Sequence, residues 1–393
     1  MTARLDVAHL HGSLAPARAA LAARAADVLA EQITVSEIPA PTGEEQQRGT
    51  WVAQRFRALQ LTDIGTDDAG NVAGTFAGTS SDAPVVVCAH LDTVFPRSAI
   101  SHAQHDGTRV HLPGIGDNGR GLAAMLAIAR AMRDARIAPR RPLRFVATTG
   151  EEGHGDLRGA KHFFANNQAS AAIALDGTGD TRIVHRAVGS RRFRVTFDGP
   201  GGHSWTDFGA VNPVHASAIA IAKLSALPLP SDPHTTLTVA QTGGGLSVNS
   251  IPASAWFEAD IRSLSETPIA QLEDALRGIV AQTTLEANAL RRADTSPLTA
   301  HFALIGSRPA GDIPASESLV DIAQRATRLI AREPELAHAS TDANVPLSMG
   351  IPAIAIGGGG LGGAVHTTTE WYDDTDGLRG IERALTIVAA AAH

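Results

Sequence analysis

Two polar residues sit two apart where an apolar run ends, in Pro84-Val-Val-Val-Cys-Ala-His90-Leu-Asp92-Thr93. Val85 to Cys88 read as a buried strand, and alternation along an extended chain sends His90 and Asp92 to the same side. A neutral imidazole is a ready metal ligand, and a nearby carboxylate can fix its tautomer and orientation. The arrangement recurs. Pro142 to Thr148 is a second apolar stretch, ending at Gly150-Glu151-Glu152. Ala171 to Leu175 is a third, ending at Asp176, and Ile351 to Ile356 is a fourth, ending in Gly357 to Gly360 with His366 soon after.

In an open parallel sheet, ligands bind outside the carboxyl ends of the strands, so groups from distant stretches can meet in one crevice. Carboxylates gathered there repel one another unless a cation neutralises them. Imidazoles with carboxylates, and no thiolate, suit Zn²⁺, Mn²⁺ or Co²⁺. The adjacent pair Glu151-Glu152 makes chemical sense, since one carboxylate can bind metal while its neighbour moves a proton. The plainer alternative is a set of solvated loop acids, which the repeated placement after apolar strands disfavours.

Gly114-Ile-Gly116-Asp117-Asn118-Gly119 matches the dinucleotide fingerprint G-x-G-x-x-G, which requires a strand directly before it. His111-Leu112-Pro113 make a poor strand, and Asp117 would repel a pyrophosphate, so a nucleotide-binding oxidoreductase is disfavoured. Asp117 is then either a simple helix cap or a carboxylate that glycines allow close to metal.

The elements that must position these groups alternate. Pro16 to Glu37 has helical spacing and is expected to form one helix that stops at Ile38-Pro39-Ala40-Pro41; a second helix follows with Trp51, Val52, Phe56 and Leu59 on one face. A short strand spans about 72–76, a long helix runs from the Gly116–Gly121 stretch to about Arg136, and another covers about 159–166. Strands alternating with helices predict an α/β fold built on a doubly wound, mostly parallel sheet. In Arg192-Phe193-Arg194-Val195-Thr196-Phe197 the pattern changes to strict alternation, the mark of a strand with one wet face. Helices near 213–227 and 268–287 and strands near 236–240, 255–261 and 299–305 complete a β-α-β-β-α-β order, expected to form an inserted α+β ferredoxin-like module. The expected division is a discontinuous domain of residues 1–186 and 309–393, with the insert at 187–308.

Bulk properties narrow the class. A length of 393 residues, 44% apolar and 19% charged residues describe an ordinary globular chain, and a net charge of -7 argues against nucleic acid or an anionic membrane as partner. No apolar run approaches the roughly 18 residues of a membrane span. Cys88 is the single cysteine, which excludes an internal disulfide and fits a reducing compartment; with no signal-peptide pattern at the start, a cytoplasmic protein is expected.

Taken together, His90-Leu-Asp92-Thr-Val, Gly116-Asp117-Asn118-x-x-Gly121, Gly150-Glu151-Glu152-Gly153, Ala174-Leu-Asp176-Gly and His366-Thr-Thr-Thr-Glu-Trp371 resemble the M20 metallopeptidase family, over about Ile38 to Tyr372. The resemblance implies two divalent metal ions, Zn²⁺ first and Co²⁺ or Mn²⁺ as alternatives. His90 and Asp176 would hold one ion, Glu152 and His366 the other, with Asp117 bridging and a cis peptide at Asp117-Asn118. Glu151 would be the general base, and Asp92 would hold His90 in place. Ile38 to Glu44 resembles an entry motif of structural use. The insert resembles the family's lid and dimerisation domain, implying a homodimer. In it Gly199-Pro-Gly-Gly202-His203-Ser204 would send His203 to a partner subunit's site to stabilise an oxyanion, while Asn249 and Arg262 would bind substrate. The stretches around Gly153 to Phe163 and Gly358 to Trp371 resemble tripeptide-aminopeptidase-type members, implying hydrolysis of small peptides. An N-acyl amino acid deacylase or a carboxypeptidase with the same metals is the alternative, and a non-catalytic metal-binding relative is disfavoured by the full ligand set.

Overall fold

The computed structural model describes residues 5–393. The chain divides into two compact units, one of Met1–Ala187 with Asp312–His393 and one of Val188–Gly311.

In the first unit, four strands form the parallel centre of a mixed sheet. They lie in the order Leu143–Thr148, Val85–His90, Ala171–Leu175, Ala353–Ile356. Val72–Phe76 and Thr62–Thr66 extend one side antiparallel, and Arg182–Ala187 extends the other. Val85 pairs with both Leu143 and Ala171, so these strands end level and at the same edge. Burial on both faces explains the unbroken apolar runs. Val85, Val87 and Ala89 pack into one core with Leu122, Met125 and Leu126 of the helix Gly121–Asp134. Val86 and Cys88 pack into another with Phe163 and Phe164 of the helix Arg158–Asn166. Each large apolar side chain taken fully from water contributes about 1.5–3 kcal/mol.

Two local expectations are corrected. The helix expected over Pro16–Glu37 is two, Ala15–Ala22 and Ala25–Ser36, parted at Ala23-Arg24, where Arg24 leaves helical geometry at φ -121 and ψ 23. Neither proline nor glycine marks the break. Arg109–His111 is a short strand after all, although it belongs to a small separate sheet with Gln104–Asp106, Trp371–Asp373 and Leu361–Gly363. Pairing with Trp371–Asp373 stabilises it, a partner remote in the chain that local pattern does not reveal.

The second unit is a four-stranded antiparallel sheet in the order Thr235–Gly244, Ser254–Ser263, Gly189–Asp198, Thr299–Arg308. The helices Pro213–Ser225 and Glu266–Ala289 cover one face, burying Phe193, Val195, Phe197, Phe257 and Ile261 with Leu224, Leu272 and Leu276. The chain order with this strand order is the ferredoxin-like arrangement.

Candidate metal centre

The level strand ends of the first unit bring its polar residues together. His90 ends its strand and is buried. Its Nδ1 lies 3.0 Å from the main-chain oxygen of Asp92. A carbonyl only accepts, so Nδ1 carries a proton, and Nε2 is the nitrogen left to bind metal once the ring is neutral. Nε2 points at Asp117, 2.9 Å from Oδ1, and at Asp176, 4.0 Å from its Oδ1.

The other oxygen of Asp117 lies 3.2 Å from Nε2 of His366, which is also 2.9 Å from Oε1 of Glu152. Asp117 therefore shows one carboxylate oxygen to each imidazole. Its peptide bond to Asn118 is cis. Asn118, fully buried, donates from Nδ2 to Leu175 O at 2.9 Å and accepts on Oδ1 from Gly121 N and Gly177 N at 3.1 and 3.2 Å. It thus fastens the Asp117 loop to the strand end that carries Asp176.

Asp92 does something other than the expected support of His90 by its carboxylate. That carboxylate is 3.6 Å from Nδ1, too far for a hydrogen bond. Its oxygens instead accept from Glu151 N at 2.9 Å and Glu152 N at 3.0 Å, and from the hydroxyl of Thr42 at 2.8 Å. The tautomer is set by the backbone of Asp92, while its side chain grips the backbone of the Glu pair. Arg48, fully buried, donates to the carbonyls of Leu91 at 2.7 Å and Ile38 at 2.7 Å, and Glu45 accepts from Gly150 N at 3.1 Å. The entry segment thus supports the His90 and Glu151 loops directly. Arg48 had no signal of its own in the sequence, because a helical Arg that is buried reads the same as one in solvent.

On the far side, Gly357 to Gly360 interlock with the loop after Asp176. Gly358 N donates to Gly177 O at 2.9 Å, Gly359 N to Gly179 O at 3.0 Å, and Gly179 N to Gly360 O at 3.1 Å. A Cβ on Gly357 would collide with the backbone oxygen of Thr178, so only glycine allows this approach.

The charges of this cluster do not balance by themselves. Burial and the neighbouring Asp117 push the Asp176 carboxyl up to about 7. Burial opposes ionisation of Asp117 too, yet the bonds from His366 and His90 hold it below the usual carboxylate range. Those bonds to Asp117 and Glu152 push His366 up to about 10. Burial lowers His90, but the carboxylates of Asp117, Asp92 and Glu151 outweigh it and raise it well above its ordinary value. Acids crowded enough to hold a proton near neutrality, around two imidazoles held charged, are a site that a divalent cation would relieve. The donor set fits one: ligand atoms of His90, Asp117 and Glu152 all lie within 4.8 Å of one another.

The remaining named residues belong to the second unit. His203 is exposed on a two-residue ladder, paired with Ser250. Its Nδ1 accepts from Trp205 N at 3.2 Å, leaving Nε2 to carry the proton when the ring is neutral. Asn249 lies beside it, its carbonyl accepting from Ser204 N at 3.0 Å and its Oδ1 from Ser247 Oγ at 2.5 Å. Arg262 stands on the sheet face away from the helices, with Nε on Asp260 Oδ2 at 2.7 Å.

Known proteins share these parts. A profile described as "Peptidase family M28" matches residues 71–192, and one described as "Peptidase dimerisation domain", from the M20 set, matches 186–288. A "Probable carboxypeptidase" of Aspergillus terreus is 26% identical over 71% of this chain and 70% of its own length. One from Aspergillus oryzae is 24% identical over 64% of each. The chain thus spans about two thirds of these relatives. Among solved structures, a tripeptidase from Staphylococcus aureus aligns at TM-score 0.77 and 23% identity, covering 93% of this chain and 98% of its own. The aminopeptidase PepT of Bacillus cereus aligns at 0.76 and 22%, over the same shares. The Bacillus subtilis YXEP protein, described as a dinuclear metal binding peptidase from the M20 family, aligns at 0.68 and 16%, with 93% and 98% covered. A peptidase-type profile next to an M20 dimerisation profile, with a His, Asp and Glu cluster in the first unit, makes the chain similar to the M20 metallopeptidases.

Proposed function

We propose that this protein hydrolyses an amide bond of small peptides, as a di- or tripeptidase or aminopeptidase, at a centre of two divalent ions held by His90, Asp117, Glu152, Asp176 and His366. The observation that carries the reading is Asp117 facing His90 with one oxygen and His366 with the other. Bound there, two divalent ions, Zn²⁺ before Co²⁺ or Mn²⁺, would polarise the scissile carbonyl and acidify water. The chain's own residues do the rest. Glu151 takes the proton of the attacking water and returns it to the departing amine. Asp92 holds that base in place through its backbone, and His90 keeps its ligand nitrogen bare because Nδ1 is committed to Asp92 O. His203, with its Nε2 proton available, is assigned to the oxyanion, supplied across a homodimer formed by the inserted domain at 187–308. Asn249 and Arg262 are assigned to the substrate's polar ends, a guanidinium fork suiting a carboxylate.

Among the described residues no helix is long and apolar enough to cross a membrane. A cytoplasmic location fits a chain whose one cysteine is buried and unpaired.

A carboxypeptidase or N-acyl amino acid deacylase is the second reading, favoured by the Aspergillus relatives' description and by Arg262. The test is turnover of a panel of di- and tripeptides, blocked at either end, and N-acyl amino acids, with added Zn²⁺, Mn²⁺ or Co²⁺. Cleavage that needs a free amino end supports the first reading, and cleavage that needs only a free carboxylate supports the second. A metal-loaded protein that cleaves nothing in the panel overturns both.

A further inference from the structure

One buried carboxylate takes no part in the centre described above. Glu370 is 1% exposed. Its Oε2 accepts from Gly114 N at 2.7 Å, and its Oε1 from Gly116 N at 2.9 Å and Asp117 N at 3.0 Å. Its main chain joins in, since Leu112 N donates to Glu370 O at 3.1 Å, and Glu370 N closes a turn onto Thr367 O at 3.1 Å. Glu370 therefore binds the whole 112–117 segment while standing four residues after His366. The two loops it joins are those that deliver Asp117 and His366, whose side chains meet at 3.2 Å. Three backbone N–H bonds converging on one buried carboxyl group leave that loop little freedom.

We propose that Glu370 is a positioning residue of the metal centre: by clamping the backbone of Gly114, Gly116 and Asp117 it sets the distance and angle between Asp117 and His366. This rests on the metallohydrolase reading only in that it takes the centre to bind metal. Glu370 acts through length as well as charge. Glutamine keeps the length and can keep the two bonds on Oε1, but it turns an NH₂ toward Gly114 N–H. Aspartate keeps the charge and is one methylene too short.

The test measures Co²⁺ binding by competition with a chelating dye, with the visible spectrum of bound Co²⁺, for the wild type, Glu370→Gln and Glu370→Asp. Groups that orient ligands typically govern about 10–100-fold in metal affinity or activity. The expectation is a loss in that range for both variants, a shifted Co²⁺ spectrum, and kcat falling while KM stays within about twofold. Glu370→Gln with wild-type Co²⁺ affinity and spectrum overturns the proposal, even if its melting temperature drops. So does full rescue by Glu370→Asp, which would make charge alone the contribution. If either variant fails to fold, Gly116→Ala decides: its Cβ would stand 3.1 Å from Glu370 Oε1, disturbing the clamp with every ligand retained, and an unchanged spectrum there overturns the proposal. A wild-type protein that binds no Co²⁺ sinks the metal reading beneath it, whereas one that binds Co²⁺ but cleaves nothing sinks the peptidase reading and leaves the clamp to be judged on affinity and spectrum.

Discussion

Replacing Asp92 with asparagine separates two jobs that a carboxylate beside a metal-ligand histidine could do. The amide side chain has a single oxygen. That oxygen is best spent where Asp92 Oδ2 stands, because two donors converge there, Glu152 N and the Thr42 hydroxyl, at 3.0 and 2.8 Å. The NH₂ then faces Glu151 N, which loses its 2.9 Å acceptor. An orphaned buried donor costs about 1–3 kcal/mol. If that cost falls on the poised state of the Glu151 loop, the rate drops about 5- to 150-fold, at about 1.36 kcal/mol per factor of ten. His90 keeps its tautomer, because its Nδ1 partner is the main-chain oxygen. The expected result of steady-state kinetics with metal analysis is a kcat lowered within that range and metal content close to wild type at saturating ion. Thr42→Val, which removes one neutral donor, should cost less, about tenfold at most. Two results would refute the reasoning. Asp92→Asn shedding metal as severely as His90→Ala would mean that the carboxylate orients the imidazole. An unchanged kcat would mean that the grip on Glu151 has no consequence for turnover.

Glu151→Gln should lower kcat by about a hundredfold or more with both metals retained, and loss of the metals in that variant would remove Glu151 from the role of base. In the metal-free protein the charged His90 and His366 contribute stability that is fully present below pH 6.5 and is lost as pH rises through their folded values, about 10 for His366. Its melting temperature should therefore fall from about pH 7 to pH 10, while metal affinity rises over the same interval as the imidazole protons are released. Calorimetry in two buffers of different ionisation enthalpy should detect that release near neutral pH, and binding without proton release would contradict the charge assignment. Gly159→Ala should destabilise by about 1–3 kcal/mol by overpacking, since its Cβ would stand 2.5 Å from Thr149 N and O; an unchanged melting temperature would show that the helix can shift to make room.

Residues whose role follows from position along a strand were readable in the sequence. His90, Glu151, Glu152 and Asp176 each follow a run of apolar residues, and the level ends of parallel strands turn that into proximity. The ferredoxin-like order was readable because alternating burial writes a period of two into Arg192 to Phe197. Other features depend on partners remote in the chain. Asp92 could be seen to matter, but whether its side chain faced an imidazole or a pair of amides depended on where the Glu151 loop came to rest. Arg48 donates to carbonyls on two separate segments, and no local pattern tells such an arginine from a solvated one. The strand Arg109–His111 pairs with Trp371–Asp373, and the break at Ala23-Arg24 carries no proline or glycine that would mark it locally.

The wall of the centre that carries Asp176 is made of main chain: Gly357 to Gly360 bonded to Gly177 and Gly179. Such a wall offers no side chain to exchange, so substitution there can break the site but not retune it. The opposite holds next to two of the metal-centre residues, where Val94 lies just beyond Asp92 and Val365 precedes His366, both apolar and exposed at 43% and 47%. These side chains can change without displacing a backbone contact, so a library aimed at new substrates is better begun at Val94 and Val365 than at the glycines.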